Sequence, residues 1–430
     1  MRIIHTSDWH LGQYFYGKSR ANEHQQFLTW LISQVKRYDI DAIIVAGDIF
    51  DTATPPSYAR QMYFNFISKI QSLDCQLVIL AGNHDSVSML AESKELLSAL
   101  STRVIANVSD LENNDNLAEQ VFILKNNHQE PKAVICAVPF IRPRDVIKSQ
   151  QGQSANDKSK SLQQAIVEHY QTLFEHAQQL VKDSKLALPI IATGHLTALG
   201  VTSSDSVRDI YIGTLEALPS NAFPAADYIA LGHIHRAQKV GKTEHIRYCG
   251  SPIALSFDEA THDKRVLLVD FTDNNLTLVT SLIVPCFQPL AMVKTSLAKL
   301  SQAVEKLLAE LNFSQENSQK LWLDIELVDS DRLSDLQSRI TTLVENFPVE
   351  ILLVRRAKQI RQQLMQAQQD NSTLSELTLD EVFSSRLNQE EYFSHGGESS
   401  NEAEKRDEHK KRLQTLFKQT VAQVLAKGSA

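Results

Sequence analysis

The stretch Ile43-Ile44-Val45-Ala46-Gly47-Asp48-Ile49-Phe50-Asp51 runs from an apolar segment straight into a glycine and an acid. An apolar run without polar alternation predicts a strand covered on both faces. Glycine at its end lets the backbone turn sharply and bring Asp48 close to whatever it binds. The same pattern recurs outward in both directions. Leu77-Val78-Ile79-Leu80-Ala81 runs into Gly82-Asn83-His84-Asp85, and Pro189-Ile190-Ile191-Ala192-Thr193 into Gly194-His195. Tyr228-Ile229-Ala230-Leu231 runs into Gly232-His233-Ile234-His235, and the N-terminal apolar run ends at Asp8-Trp9-His10. In open α/β sheets ligands gather beyond the carboxyl ends of strands, where every one of these clusters falls. Amphipathic helices lie between the runs, one carrying Phe27, Leu28, Leu31, Ile32 and Val35, another opened by Pro55-Pro56-Ser57 and running from Tyr58 to Ile70. The rhythm predicts an α/β layered domain over residues 1–285.

Together the clusters offer Asp8, His10, Asp48, Asn83, His195, His233 and His235 as metal ligands. A single Asp-x-His or Gly-Asp is weak evidence; five clusters at one structural position are strong evidence. This mixed nitrogen and oxygen set suits a pair of divalent transition ions, and such a centre hydrolyses phosphate esters. Residues two apart on a strand point the same way, so Asp8 and His10 are expected at one ion, as in principle are His233 and His235. Asp48 is the expected bridge, its carboxylate offering two oxygens, and Asn83 offers a neutral carbonyl oxygen. His84 and Asp85 remain as the catalytic pair: the imidazole donates a proton or stabilises phosphate charge, and the adjacent carboxylate orients it and favours its charged form. Asp85 can also cap the next helix. Asp51 reads as an acceptor that fixes the loop before Pro55, Trp9 as a core residue, and Tyr248-Cys249-Gly250-Ser251-Pro252 as a turn.

Hydrophobic content of 43%, charged content of 22% and a net charge of −8 describe an acidic globular protein. Its surface as a whole is no nucleic-acid binder, so a phosphate substrate is met by a local patch, by metals or by a partner. An anionic membrane is an unsuitable target, and no apolar run approaches a membrane span. Cys75, Cys136, Cys249 and Cys286 form no CxxC pair. Cys75, Cys136 and Cys286 sit in or beside apolar runs and read as buried free thiols of a reducing cytosol. Polar residues interrupt the N-terminal apolar run far short of a signal-peptide core.

Residues 149–160 are polar and predict a loop before a helix at Ser161 to Lys182. From Pro289 the pattern changes. A strand at Met292-Val293, a helix from Leu297 to Leu311, a strand at Leu321 to Leu327 with one buried face, a helix from Leu333 to Val344 and a strand at Ile351 to Val354 predict a smaller α/β cap domain over 286–360. Residues 361–430 read as a linker and two C-terminal helices, one carrying Leu374, Leu377, Val382, Phe383 and Leu387. The other carries Leu413, Leu416, Phe417, Val421, Val424 and Leu425, and the acidic stretch from His395 to Glu408 between them reads as disordered. Two isolated helices cannot stabilise themselves in water, so their apolar faces must meet the body of the chain or a partner.

At these five clusters the chain resembles the calcineurin-like metallophosphoesterase superfamily. At His5–Gly12, Ala46–Asp51, Pro55–Arg60, Ala81–Ser86, Arg208–Gly213 and Tyr248–Pro252 it resembles, over nearly its whole length, the SbcD family of bacterial nuclease subunits. The resemblance implies a four-layered α/β/β/α metallophosphoesterase sandwich with a cap domain and C-terminal helices. It implies a Mn²⁺-dependent exonuclease and endonuclease acting on DNA ends and hairpins in DNA repair and recombination. It also implies a cytoplasmic, nucleoid-associated homodimer within a heterotetramer, docked on the coiled-coil base of an SbcC-type ATPase through Leu413, Leu416, Phe417, Val421 and Val424. By position, Asp8, His10, Asp48 and His235 would hold one ion, Asp48, Asn83, His195 and His233 the other, with His84 as the catalytic histidine. Asp51 departs from the histidine many relatives carry there. A small-molecule phosphodiesterase would use the same centre but has no evident need of the second domain and the orphan helices.

Overall fold

The apolar runs form strands where their sequence places them. In this computed structural model residues 1–108, 114–146, 155–207, 217–314, 319–328, 335–357, 382–384, 386–387 and 409–421 are described, with 114–116 and 155–159 as backbone alone. The chain divides into two compact units, Met1–Leu290 and Ala291–Ala430.

The first unit holds two six-stranded sheets. In one, Arg2–Thr6, Ala42–Ala46, Gln76–Leu80 and Thr102–Ile105 run parallel, and Arg265–Thr272 and Asn275–Ile283 extend it antiparallel beyond Arg2–Thr6. In the other, Ile246–Tyr248, Tyr228–Gly232, Ile190–His195 and Pro131–Cys136 run parallel, with short antiparallel partners at both edges. All five residues of Ala42–Ala46 are buried, because its side chains alternate between two cores. Ile43 and Val45 join Phe27, Leu31, Tyr63 and Phe66 under the helices Ala21–Tyr38 and Ser57–Gln71. Ala42, Ile44 and Ala46 join Ile135, Ile191 and Ala230 of the other sheet. That sheet's outer face, with Val134, Ala192 and Leu231, is covered by Ile166, Tyr170 and Leu173 of the helix Ala155–Ser184. The layers are therefore α/β/β/α. Each fully buried Ile or Val contributes about 1.5–3 kcal/mol, so the double-sided burial of these strands dominates the stability of the unit.

Two expectations are corrected. The helix begins at Ala155 rather than near Ser161; residues 155–160 contain neither Gly nor Pro, and polar residues alone do not stop a helix. Cys286 is exposed, while Cys75, Cys136 and Cys249 are buried. It follows the edge strand Asn275–Ile283, where alternate apolar side chains already face solvent: Ile283 is 50% exposed.

The second unit has a three-stranded sheet ordered Leu290–Thr295, Leu321–Leu327, Val349–Arg356, with helices Leu300–Glu310 and Leu336–Val344. Val293, Leu300, Val304, Leu323, Ile325 and Ile340 form its core. The central strand is buried on both faces rather than one, since Trp322 and Asp324 are also covered and Arg355 pairs with Asp324 at 2.7 Å. Residues 382–384, 386–387 and 409–421 are helical, and the Phe383 and Phe417 rings stack 4.0 Å apart at 4°. Leu374, Leu377, Val424, Leu425, the acidic stretch 395–408, residues 149–154 and the Arg208–Gly213 motif lie outside the described residues. Among the described residues no helix is long and apolar enough to cross a membrane.

A buried histidine far from the strand ends makes the first unit acid-sensitive. The Gln120 side-chain amide donates to the Ala137 carbonyl at 3.2 Å and to His169 Nε2 at 3.3 Å. The carbonyl fixes which way the amide faces, so Nε2 must accept and the ring is neutral. Burial pushes His169 down from 6.5 to about 4. The unfolded chain therefore binds the proton first, and stability present above about pH 6.5 is lost as pH falls toward 4. His169→Gln keeps an acceptor and removes the titration. Denaturant unfolding between about pH 7 and pH 4 should show wild type losing on the order of 3 kcal/mol more than this variant; equal losses would refute the assignment.

Candidate metal centre

The two sheets meet most closely at the carboxyl ends of their central strands. A Cβ on Gly232 would lie 1.8 Å from the Ala46 carbonyl oxygen, and one on Gly47 2.1 Å from His195 Nδ1. With both positions bare, His195 Nδ1–H donates to the Ala46 carbonyl at 2.9 Å across the sheet interface. Beyond the strands the chain turns through left-handed conformations at Asp8 (φ 53°), His10 (φ 48°), Asp48 (φ 50°) and His233 (φ 93°). Such conformations in non-glycine residues cost of order 1–3 kcal/mol each and cluster at functional sites. The loops support one another: Asp8 N–H donates to the Gly47 carbonyl at 3.0 Å, His10 N–H to that of Asp48 at 3.1 Å, and His233 N–H to the Asp8 carboxylate at 3.0 Å.

These turns gather two groups of buried ligand atoms, Asp8–His10–His235 and Asp48–His195–His233. His233 and His235 thus go to different groups. Asp8 and His10 meet through their left-handed turns rather than by strand alternation, since the strand ends at Thr6. One Asp48 oxygen lies 3.2 Å from His195 Nε2 and 3.7 Å from His10 Nε2, between the groups. Its other oxygen accepts the His84 N–H at 2.9 Å. Asn83 Oδ1 lies 2.9 Å from His195 Nε2 and 3.2 Å from His233 Nδ1.

This donor set fits divalent ions. His195 spends its Nδ1 proton on Ala46, so its Nε2 lone pair faces the oxygens of Asp48 and Asn83. Three lone-pair atoms converge there, an arrangement that only a cation relieves. His10 Nε2 and His233 Nε2 are buried without a hydrogen-bond partner among the described residues, as ligand atoms would be. The charges agree. Burial alone would lower His195, but the Asp48 carboxylate outweighs it and raises the imidazole from 6.5 to about 9. Burial opposes ionisation of Asp48 too, yet the histidines, led by His195, hold its carboxyl well below the usual carboxylate range.

The expected pairing of His84 with Asp85 is not what the structure shows. The Asp85 carboxylate accepts the backbone N–H groups of Gly82 at 2.8 Å, Phe50 at 3.0 Å and Ile49 at 3.1 Å, tying two ligand loops together. Burial, then the charge of Asp48, raises it to about 6 against those amides. The helix cap is Ser86, whose hydroxyl accepts from Met89 N at 3.3 Å. His84 Nδ1–H instead donates to the Asp51 carbonyl at 2.7 Å. Asp51 does more than fix its loop, since its carboxylate also faces His10 Nδ1 at 3.1 Å and orients that ring. Trp9 is fully buried against Phe27 and Phe66. Sequence reasoning missed Ser206 and Glu259, which hold His235, and Arg142, which donates to the Asp85 carbonyl at 3.0 Å. No local spacing marks any of the three.

Residues 1–237 match the family model described as calcineurin-like phosphoesterase, and residues 286–391 the one described as type 5 capsule protein repressor C-terminal domain. Curated relatives named as the SbcD component of the nuclease SbcCD align along most of the chain. That of Escherichia coli strain K12 is 50% identical over 391 residues, covering 91% of this chain and 94% of the relative. That of Bacillus subtilis is 30% identical, covering 78% and 81%, and that of Rhodobacter capsulatus 32% identical, covering 63% and 66%.

The glycine contact supplies a direct test of the centre. Gly47→Ala places a methyl on His195 Nδ1 and strains a left-handed φ of 92°. Metal analysis after dialysis against excess divalent ion should show a folded chain retaining roughly half the wild-type metal, because the His195 group is displaced. Full metal content in that variant would show that the close approach is not needed for binding.

Proposed function

The chain belongs to the SbcD family of calcineurin-like phosphoesterases and is a metal-dependent nuclease subunit, and from that premise we propose how its residues carry the activity. The observation that carries the reading is the Asp48 carboxylate lying between His10 and His195. Asp8, His10, Asp48 and His235 would hold one divalent ion, and Asp48, Asn83, His195 and His233 the other. Oxygen and nitrogen donors without a thiolate suit Mn²⁺, while histidine nitrogen suits Mg²⁺ poorly. When bound, two such ions supply charge neutralisation at a phosphodiester and a water activated at neutral pH.

The chain's own residues do the rest. Asp51, Asp85 and the backbone of Gly47 and Asp48 hold the ligand loops before substrate arrives. His84 stands at the partly exposed rim of the centre, with its Nδ1 proton committed to the Asp51 carbonyl. That leaves Nε2 to stabilise negative charge on the phosphate or to protonate the sugar oxygen when its bond to phosphorus breaks. Asp85 serves this chemistry by fixing the loop from which His84 projects.

DNA is the substrate class we assign, at ends and hairpins, and an SbcC-type ATPase is the partner, in a cytoplasmic, nucleoid-associated assembly built on a homodimer within a heterotetramer. Residues 1–285 act as the nuclease, 286–360 as the cap, and 361–430 as the docking element. In the helix 409–421, Leu416 is 59% exposed while Leu413, Phe417 and Val421 are half-buried, an apolar stripe suited to a coiled-coil partner. Val424 would extend it.

Two substitutions separate ligand from catalyst. Asp48→Ala should lose both ions and all hydrolysis, since one carboxylate serves both. His84→Ala should keep its metal while kcat on a phosphodiester falls by about two orders of magnitude or more; metal loss in that variant would make His84 a ligand. On the docking surface, Leu416→Asp should leave unfolding and small-phosphodiester hydrolysis unchanged but weaken binding to the purified ATPase by about tenfold or more. Unchanged affinity would remove this face from the interface.

A further inference from the structure

One buried ion pair holds His235 at both ends. Glu259 is 3% exposed and sits in the short turn Phe257–Glu259. One of its oxygens accepts from the Ser206 hydroxyl and from Ser204 at 2.7 Å, and lies 3.3 Å from His235 Nδ1. The other accepts Leu255 N–H at 3.0 Å and the Lys264 ammonium at 2.5 Å. Lys264 also donates to the His235 carbonyl at 3.2 Å, so it fixes the main chain of the residue whose ring Glu259 faces.

The hydrogens can be assigned from chemistry. A carboxylate only accepts, so the single hydroxyl proton of Ser206 goes to Glu259. The Ser206 oxygen, 2.6 Å from His235 Nδ1, must then accept from that nitrogen. The proton of the neutral ring is thereby placed on Nδ1, and Nε2 keeps its lone pair for a ligand. Carboxylates that orient metal-binding histidines in this way commonly change metal affinity 10–100-fold when removed. A purely structural ion pair joining the turn at 256–264 to the sheet would predict no selective effect on one ion.

We propose that Glu259 is the positioning residue for His235, acting through Ser206 on the ring and through Lys264 on the backbone, and selective for the Asp8–His10–His235 half of the centre. The inference rests on His235 being a metal ligand. Mn²⁺ calorimetric titration and electron paramagnetic resonance of the full chain test both. Glu259→Gln should raise the dissociation constant of one Mn²⁺ about 10–100-fold and leave the other unchanged, with the spectrum of the coupled pair giving way to that of a single ion. Ser206→Ala should weaken the same ion by less. In a His235→Ala background, Glu259→Gln should add nothing, because its route to the metal is gone. Unchanged affinities in a folded Glu259→Gln, equal weakening of both ions, or additive loss in the double variant would each overturn the proposal. Should Glu259→Gln fail to fold, Ser206→Ala with and without His235→Ala decides by the same criteria. Retention of both ions by His235→Ala would instead overturn the ligand reading beneath it.

Discussion

Everything in the catalytic unit depends on two β-sheets touching backbone to side chain at one edge. Stacked sheets normally stand about 10 Å apart, the width of interdigitated side chains. Here Ile44, Ile135 and Ile191 keep that spacing in the middle. At the carboxyl ends, Ala46, Gly47 and Gly232 remove the side chains, and the Ala46 carbonyl meets both the bare Gly232 and the His195 ring. Only because the sheets converge there can ligands from different sheets face a common point. A second contact reinforces it: His5 on one sheet bonds Tyr228 at 2.9 Å and the Leu231 carbonyl at 3.2 Å on the other. Burial, opposed by the Leu231 bond, pushes His5 down to about 3, so at neutral pH this link is made by an uncharged ring.

This convergence is costly, and the cores on either side supply what offsets it. Asp8, His10, Asp48 and His233 all occupy left-handed backbone. At 1–3 kcal/mol each the strain is comparable to the net stability of an ordinary domain. It persists because the strands that carry these turns are buried on both faces, and because each turn donates its amide to a neighbouring loop. The rigidity of the layered cores is thus what allows a preorganised site to exist before any ligand arrives.

The strands and most of the centre are legible in the sequence for one reason: both are written in local order. An uninterrupted apolar run marks a strand with two buried faces, and a ligand just past its glycine marks the strand's functional end. The misreadings share a cause as well. Strand alternation does not extend past Thr6 to Asp8 and His10, where a turn does the work instead. Adjacency in the chain suggests that Asp85 serves His84, whereas a carboxylate in a tight turn has backbone amides nearer to hand than a neighbouring ring. Ser206 and Glu259 reach His235 only through the tertiary fold, and no spacing in one sequence can announce that. Cys286 escapes a local reading because an edge strand looks as apolar as a central one until its unpaired side is known.

The acids of the centre also explain each other. Asp8, Asp48, Asp85 and Glu259 are buried within one region, and carboxylates removed from water need compensation. Glu259 has Lys264, and Asp85 has three amides. Asp8 has the His233 amide and the Ser7 hydroxyl. Asp48 has the amide of His84 and otherwise only histidines. Hence His195 rises to about 9 while Asp48 is driven down: both shifts express one unmet demand for positive charge. Protons can meet it only by sitting on rings whose lone pairs already face oxygen. Divalent cations meet it with those same lone pairs, which is why metal binding here should release protons rather than add charge to an already balanced site.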